Sequence, residues 1–120
     1  MQLIRLNLDG TTELIPFNPK DSFSQIIECE YIEIVRPRNC KHSLIVDEEG
    51  RLKENKINIL ASYLYGTHFH YQPIMGTVLV CDITPYGEIT GLTDDSAIEF
   101  KKKLDDIYLF AFNMIKNALE

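Results

Sequence analysis

No stretch of this sequence approaches the roughly 20 consecutive apolar residues that a membrane-spanning helix needs. The opening MQLIRLNLDG alternates apolar and polar residues instead of building the apolar centre of a signal peptide. The expectation is therefore a soluble, cytoplasmic protein with no membrane partner. Basic charge is also in short supply: 12 Lys and Arg stand against 18 Asp and Glu, a formal net charge of −6. Nonspecific nucleic-acid binding depends on Lys and Arg neutralising phosphates, so direct binding of nucleic acid is not expected. The one dense basic run, Lys101-Lys102-Lys103, is followed by Leu104 and then Asp105-Asp106, and reads as the solvated face of a helix. An acidic surface that imitates DNA is the opposite possibility, for which −6 is a modest charge.

Cysteine is sparse and badly spaced for a framework. Cys29, Cys40 and Cys81 are an odd number without a C-x-x-C pair, which suits reduced thiols in a cytosolic protein. Cys29 and Cys81 lie in apolar periodic segments and are expected to fill the core. Cys40 is expected nearer the surface, where the adjacent Lys41 can lower its pKa. The glycine loop that cradles phosphates, the G-x-S-x-G elbow, the dinucleotide fingerprint and zinc-finger spacings are all absent, against the commonest enzyme classes. Glycine (6) and proline (5) are scarce while Ile, Leu, Phe and Tyr are plentiful, so one folded domain of 120 residues is expected.

What is present is a sequence of well-signalled elements. QLIRLNL and TELIPF flank Asp9-Gly10, a strong hairpin signal. Alternation points Ile4, Leu6 and Leu8 to the core and Leu3, Arg5 and Asn7 away from it. KDSFSQIIECE predicts a short helix capped by Asp21 or Ser22. YIEIVRP and SLIVDEE predict paired strands around NCKH, and Glu49-Gly50 a turn with positive φ at the glycine. KENKINILASYLYG predicts a middle helix with Asn55 as candidate N-cap and Gly66 as its stop. PIMGTVLVCDIT predicts a buried strand. From Thr93 a long amphipathic helix is predicted, with Phe110 and Phe112 off its apolar stripe. The expected fold is α+β: a single domain over 1–120 with a mostly antiparallel sheet of about five strands. A short helix, a middle helix and the long C-terminal helix cover one face.

Four groups of residues carry candidate chemistry. In THFH, read as extended, His68 and His70 share a side and begin a metal site for which Cys81 or Asp82 would have to arrive through the fold. In VDEEG, Asp47 and Glu49 share a strand face, a carboxylate pair suited to acid–base work or Mg²⁺, or a solvated strand end. Asn58, Ser62 and Tyr65 form a polar stripe on the middle helix, either tying down backbone near Gly50 or lining a shallow pocket with Tyr63 or Tyr65. Around Phe110 and Phe112 the last helix has more apolar surface than one packed face requires, which suits a partner or a homodimer seam.

YIEIV, LIVDEEGRLKENKINILAS, PIMGTVLV and GLTDD together resemble a family of small uncharacterised proteins. Its members are carried mostly by phages and conjugative elements of Firmicutes and related gut bacteria and are grouped as a domain of unknown function. The resemblance covers Tyr31 to Asp95. It rests on the turn Glu48-Glu49-Gly50, on Asn58 and Ala61, on Gly76 and on the helix start Leu92-Thr93; the extended last helix departs from the family's short form. It implies a non-enzymatic binding protein of a phage or mobile element that counteracts host defence in the host cytoplasm. The partner would be a host protein or a small nucleotide signal, with no cofactor. The binding residues implied by this reading are Glu48, Glu49, Arg51, Asn58, Ser62, Tyr65, Phe110 and Phe112. The alternatives are a small metal-dependent hydrolase using Asp47, Glu49, His68 and His70, and a homodimeric regulatory or structural subunit joined through the last helix.

Overall fold

A computed structural model describes residues 1–38, 40–53 and 56–120. Asn55, the expected cap of the middle helix, lies outside the described residues. The chain forms β1 (Gln2–Leu6), β2 (Thr12–Pro16), α1 (Phe23–Ile26), β3 (Ile32–Val35), β4 (Ser43–Asp47), α2 (Ile59–Tyr65), α3 (Thr67–His70), β5 (Val78–Ile83), β6 (Ile89–Thr90) and α4 (Asp94–Leu119). All strand pairs are antiparallel, in the order β2-β1-β5-β4-β3, with β6 on β5. The α+β architecture expected from the sequence is the one observed, except that the short helix α1 packs on the opposite face of the sheet from α2 and α4.

Turn chemistry sets the first hairpin. Asp9 accepts from the backbone N–H and the hydroxyl of Thr11 through Oδ1, closing the turn around Gly10, whose φ is +89°. A Cβ at Gly10 would also run into the ring of Tyr108, so this turn is seated against α4 and any other residue there is strained. Gly50 is different. It does not have the positive φ expected of it; it is small because Met75 O would lie 2.8 Å from an added Cβ.

The sheet is packed on both faces. Leu6, Leu44, Val80, Leu60, Leu104 and Ala111 belong to the larger core, where α2 and α4 cover the sheet. Leu3, Ile45, Leu79 and Cys81 form a second core on the other side, with Ile27 after α1 and the stacked pair Phe17–Phe23 around it. Leu3 is thus buried, contrary to its expected outward position, because α1 and the β2 exit roof that side. Leu8 is exposed instead of core, because β1 ends at Leu6 and Leu8 falls in the turn.

The last helix begins as the sequence predicts. Thr93 Oγ1 accepts from Ser96 N at 3.2 Å, and Asp94 and Asp95 occupy the first turn, where the helix dipole favours negative charge. Ala97, Leu104, Ala111 and Ile115 are its buried stripe. On its outer face Lys101, Lys102 and Lys103 pair with Asp105, Asp106 and Glu99 one turn away, the solvated pattern expected of this run. Among the described residues no helix is long and apolar enough to cross a membrane.

Candidate functional site

The residues singled out in the sequence separate into three places. Asn58 and Ser62 are fully enclosed and turned inward, which removes both from any contact surface. Asn58 is the N-cap of α2: Oδ1 accepts from Ala61 N at 3.1 Å, while Nδ2 donates to Leu6 O and Gly76 O, each at 2.9 Å. It fastens α2 to the end of β1 and to the approach of β5, not to the backbone near Gly50. Ser62 Oγ accepts from Ile74 N at 2.9 Å and donates to Ile74 O at 3.3 Å. Every hydrogen-bonding group of these two side chains needed for a ligand is already engaged in the fold.

The acidic corner is also architectural. Asp47 is buried at the end of β4, where Oδ1 accepts from Glu49 N at 2.9 Å and Oδ2 meets Lys53 Nζ at 3.0 Å. Glu48 and Arg51 remain on the rim of a recess of about 340 Å³ beside Gly50, Pro73 and Met75. This recess offers a contact surface, but Asp47 has no free oxygen to lend to acid–base chemistry.

The third place is built by THFH and its surroundings. Gly66 ends α2 in the left-handed region, and the chain re-enters a single helical turn, α3, where an extended loop was expected. Thr67 Oγ1 locks that turn by donating to Gln72 O at 2.7 Å. Helical geometry swings residues two apart to different sides, so His68 and His70 do not form the expected same-side pair. His70 Nδ1 accepts from Gln72 N at 3.1 Å, so Nε2 carries the proton and donates to Tyr65 O at 3.2 Å. His68 stacks on Tyr63 with ring centroids 5.2 Å apart and planes 12° apart. Among the described residues no group of three His, Cys, Asp or Glu side chains could hold a metal ion. The residues named for a metal-dependent hydrolase are therefore not gathered: Asp47 lines the recess beside Gly50, Glu49 follows it without lining that recess, and His68 and His70 line another.

What α3 does assemble is an aromatic cavity of about 820 Å³ lined by Arg38, Tyr63, Tyr65, His68, Phe69 and His70. Tyr65 meets His70 edge-on at 4.7 Å, and Phe110 of α4 meets Tyr63 edge-on at 6.0 Å. Phe69 stands 72% exposed at the rim, and Leu109 and Phe110 are 74% and 57% exposed. The Nδ1 atom of His68 is buried without a protein partner among the described residues. Phe112 belongs elsewhere, beside Tyr108 and under Lys116, whose Nζ lies 5.8 Å from its ring centroid. Of the predicted binding residues, Tyr65 lines the cavity with the weak metal candidates His68 and His70, and Phe110 lies behind its wall against Tyr63. Arg38 and Phe69 complete the cavity and were not foreseen, because only the fold brings the β3–β4 connection to α3.

A further pair escaped the sequence reading. Ser43 opposes Cys81 across β4 and β5, so His42 opposes Asp82 one step further out. His42 Nδ1 lies 2.7 Å from Asp82 Oδ1, and the ring meets Phe100 edge-on at 4.8 Å. The available signal was alternation: His42 and Asp82 continue the inward face of Leu44 and Val80, where apolar residues belong. Cys40, close by, is not activated. Burial pushes its pKa up, and the opposing effect of Lys41 is the smallest contribution. Burial pushes Cys81 up to about 12.

No curated protein and no solved structure matches the chain. A family model does, over residues 1–105, a longer span than the Tyr31–Asp95 stretch on which the resemblance rests. The match takes in the whole sheet and α2, α3 and the first half of α4, and so both the aromatic cavity wall and the His42–Asp82 pair. The chain belongs to the family described as Domain of unknown function (DUF3846).

Proposed function

We propose that this protein is a non-enzymatic binding protein that holds a planar, anionic small molecule of the nucleotide class in the aromatic cavity. The observation that carries this reading is the placement of Arg38. In a chain of net charge −6, it makes no ion pair among the described residues and stands at the wall of a cavity whose other lining residues are five aromatic rings with Leu64 and Gly66. Rings supply a stacking surface worth ~1–3 kcal/mol per base, and a guanidinium both stacks and binds phosphate. A volume of about 820 Å³ lies within the ordinary range for a ligand site. The resemblance to proteins of phages and conjugative elements supports a setting in which the ligand is a host signal and binding removes it from use.

The test is an amide chemical-shift titration with a panel of mononucleotides and cyclic dinucleotides. Saturable shifts confined to Tyr63–His70 and Arg38, weakened in Arg38→Gln and Phe69→Ala, support the reading. Shifts absent for the whole panel, or spread without a centre, reject it. A second reading is favoured by α4, where Phe110 meets Tyr63 of the cavity wall and both Phe110 and Leu109 are exposed. There the partner is a host protein, or a second copy of this chain. In that case Leu109→Ser abolishes the complex while nucleotide titrations stay silent.

A further inference from the structure

The N-terminal end of α4 faces a second recess, of about 610 Å³, lined by Arg36, Lys41, His42, Asp82, Thr84 and Ser96. At its floor His42 is only 5% exposed. An ionised carboxylate only accepts, so Nδ1 carries a proton toward Asp82, and Nε2 remains as the second polar atom of a ring held on one side by Phe100.

The lining of this recess carries two basic side chains against one carboxylate. Six of the twelve basic side chains have an acid: Arg5 has Glu13, Lys53 has Asp47, and the four lysines of α4 have partners one turn away. Of the six that have none among the described residues, Arg36 and Lys41 are brought together at one opening, although acids outnumber bases in the chain. Both line the same recess as the His42–Asp82 pair. Of the acids at this end of α4, Asp94 is held by the Met1 amine at 3.0 Å and Glu99 by Lys103 at 3.6 Å, while Asp95 does not line the recess. Asp82 is the one carboxylate lining the recess, and it faces His42. Hydroxyls of Ser43, Thr84 and Ser96 share the lining. A forked guanidinium, an ammonium and hydroxyl donors around one opening fit a tetrahedral oxyanion better than a planar or apolar guest.

We infer that this recess is an oxyanion site that takes a phosphate-class anion between Arg36 and Lys41, with the hydroxyls of Thr84 and Ser96 as further donors. The site is independent of the aromatic cavity, so either assignment stands if the other fails.

The test titrates the full chain with inorganic phosphate at constant ionic strength, chloride serving as the balancing anion, and reads amide shifts and the ³¹P line width. Saturable shifts at Ser43, Thr84 and Ser96, reproduced by sulfate, are expected. Arg36→Gln with Lys41→Gln should weaken binding at least about tenfold, because a hydrogen bond to a charged group contributes a free energy of that order. Both side chains are exposed, so the double variant should keep the native spectrum elsewhere. Arg38→Gln with Phe69→Ala should leave phosphate binding unchanged. Tighter binding of glycerol 3-phosphate than of phosphate identifies an esterified phosphoryl group as the guest, and the reverse identifies the free anion. Shifts that never saturate, that chloride reproduces, or that survive intact in the Arg36→Gln/Lys41→Gln variant overturn the inference.

Discussion

Replacing Asn58 by alanine separates an architectural asparagine from a ligand-binding one. The substitution removes the acceptor for Ala61 N and the donors to Leu6 O and Gly76 O, all in a fully enclosed place. A lost N-cap costs ~1 kcal/mol and each of two buried carbonyls left without its donor costs ~1 kcal/mol, so the variant should lose about 3 kcal/mol. For a domain of this size that lowers Tm by roughly 12 °C, and it moves the urea midpoint down by about 1.5–2 M at an ordinary slope. Asn58→Asp should be no better, since it keeps the cap but turns a carboxylate oxygen toward two carbonyls. Urea unfolding followed by far-UV circular dichroism measures the loss. A change below about 0.5 kcal/mol, the level of an ordinary surface substitution, would show that Asn58 is not the clamp joining α2 to β1 and β5.

Two other outcomes follow from the same contacts. Gly10→Ala should cost about 2 kcal/mol, from the positive φ and from the collision with Tyr108; in a Tyr108→Leu background the cost should shrink, and an unchanged cost would mean the turn does not seat on that ring. Cys81, pushed by burial up to about 12 from 9.0, should resist alkylation at pH 8 while Cys40 reacts slowly and all three thiols react in urea. Its folded pKa lies above the unfolded one, so the unfolded chain releases its proton first and stability should fall as pH rises above the unfolded value. Alkylation of native Cys81 as fast as Cys40, read by mass spectrometry, would contradict that burial.

The elements legible in the sequence were those whose signals are local. Asp9-Gly10 names its own turn, Thr93 with Asp94 and Asp95 names a helix start, and the stripe from Ala97 to Ile115 names a buried face. The apolar run of β5 was legible too, being buried on both sides. What stayed hidden depends on register or on a neighbour. His42 meets Asp82 only because β4 and β5 align Ser43 with Cys81, which no local pattern records. THFH has no helical periodicity to detect; a left-handed Gly66 and the Thr67–Gln72 bond impose its single turn. Leu3 looked outward because alternation assumes one covered face, and α1 supplies a second. The polar stripe of α2 was visible as a stripe. Its direction was not, and two of its members, Asn58 and Ser62, turned out to point into the protein.

The aromatic cavity is the centre of the functional account, and calorimetric titration of the folded protein with nucleotides tests it most directly. With inorganic phosphate present in excess to occupy the oxyanion recess, the account predicts saturable binding at one site per chain for at least one nucleotide, abolished by Arg38→Gln with Phe69→Ala in a protein of unchanged stability. Absence of binding for every nucleotide tested, or binding that the double substitution leaves intact, would contradict it.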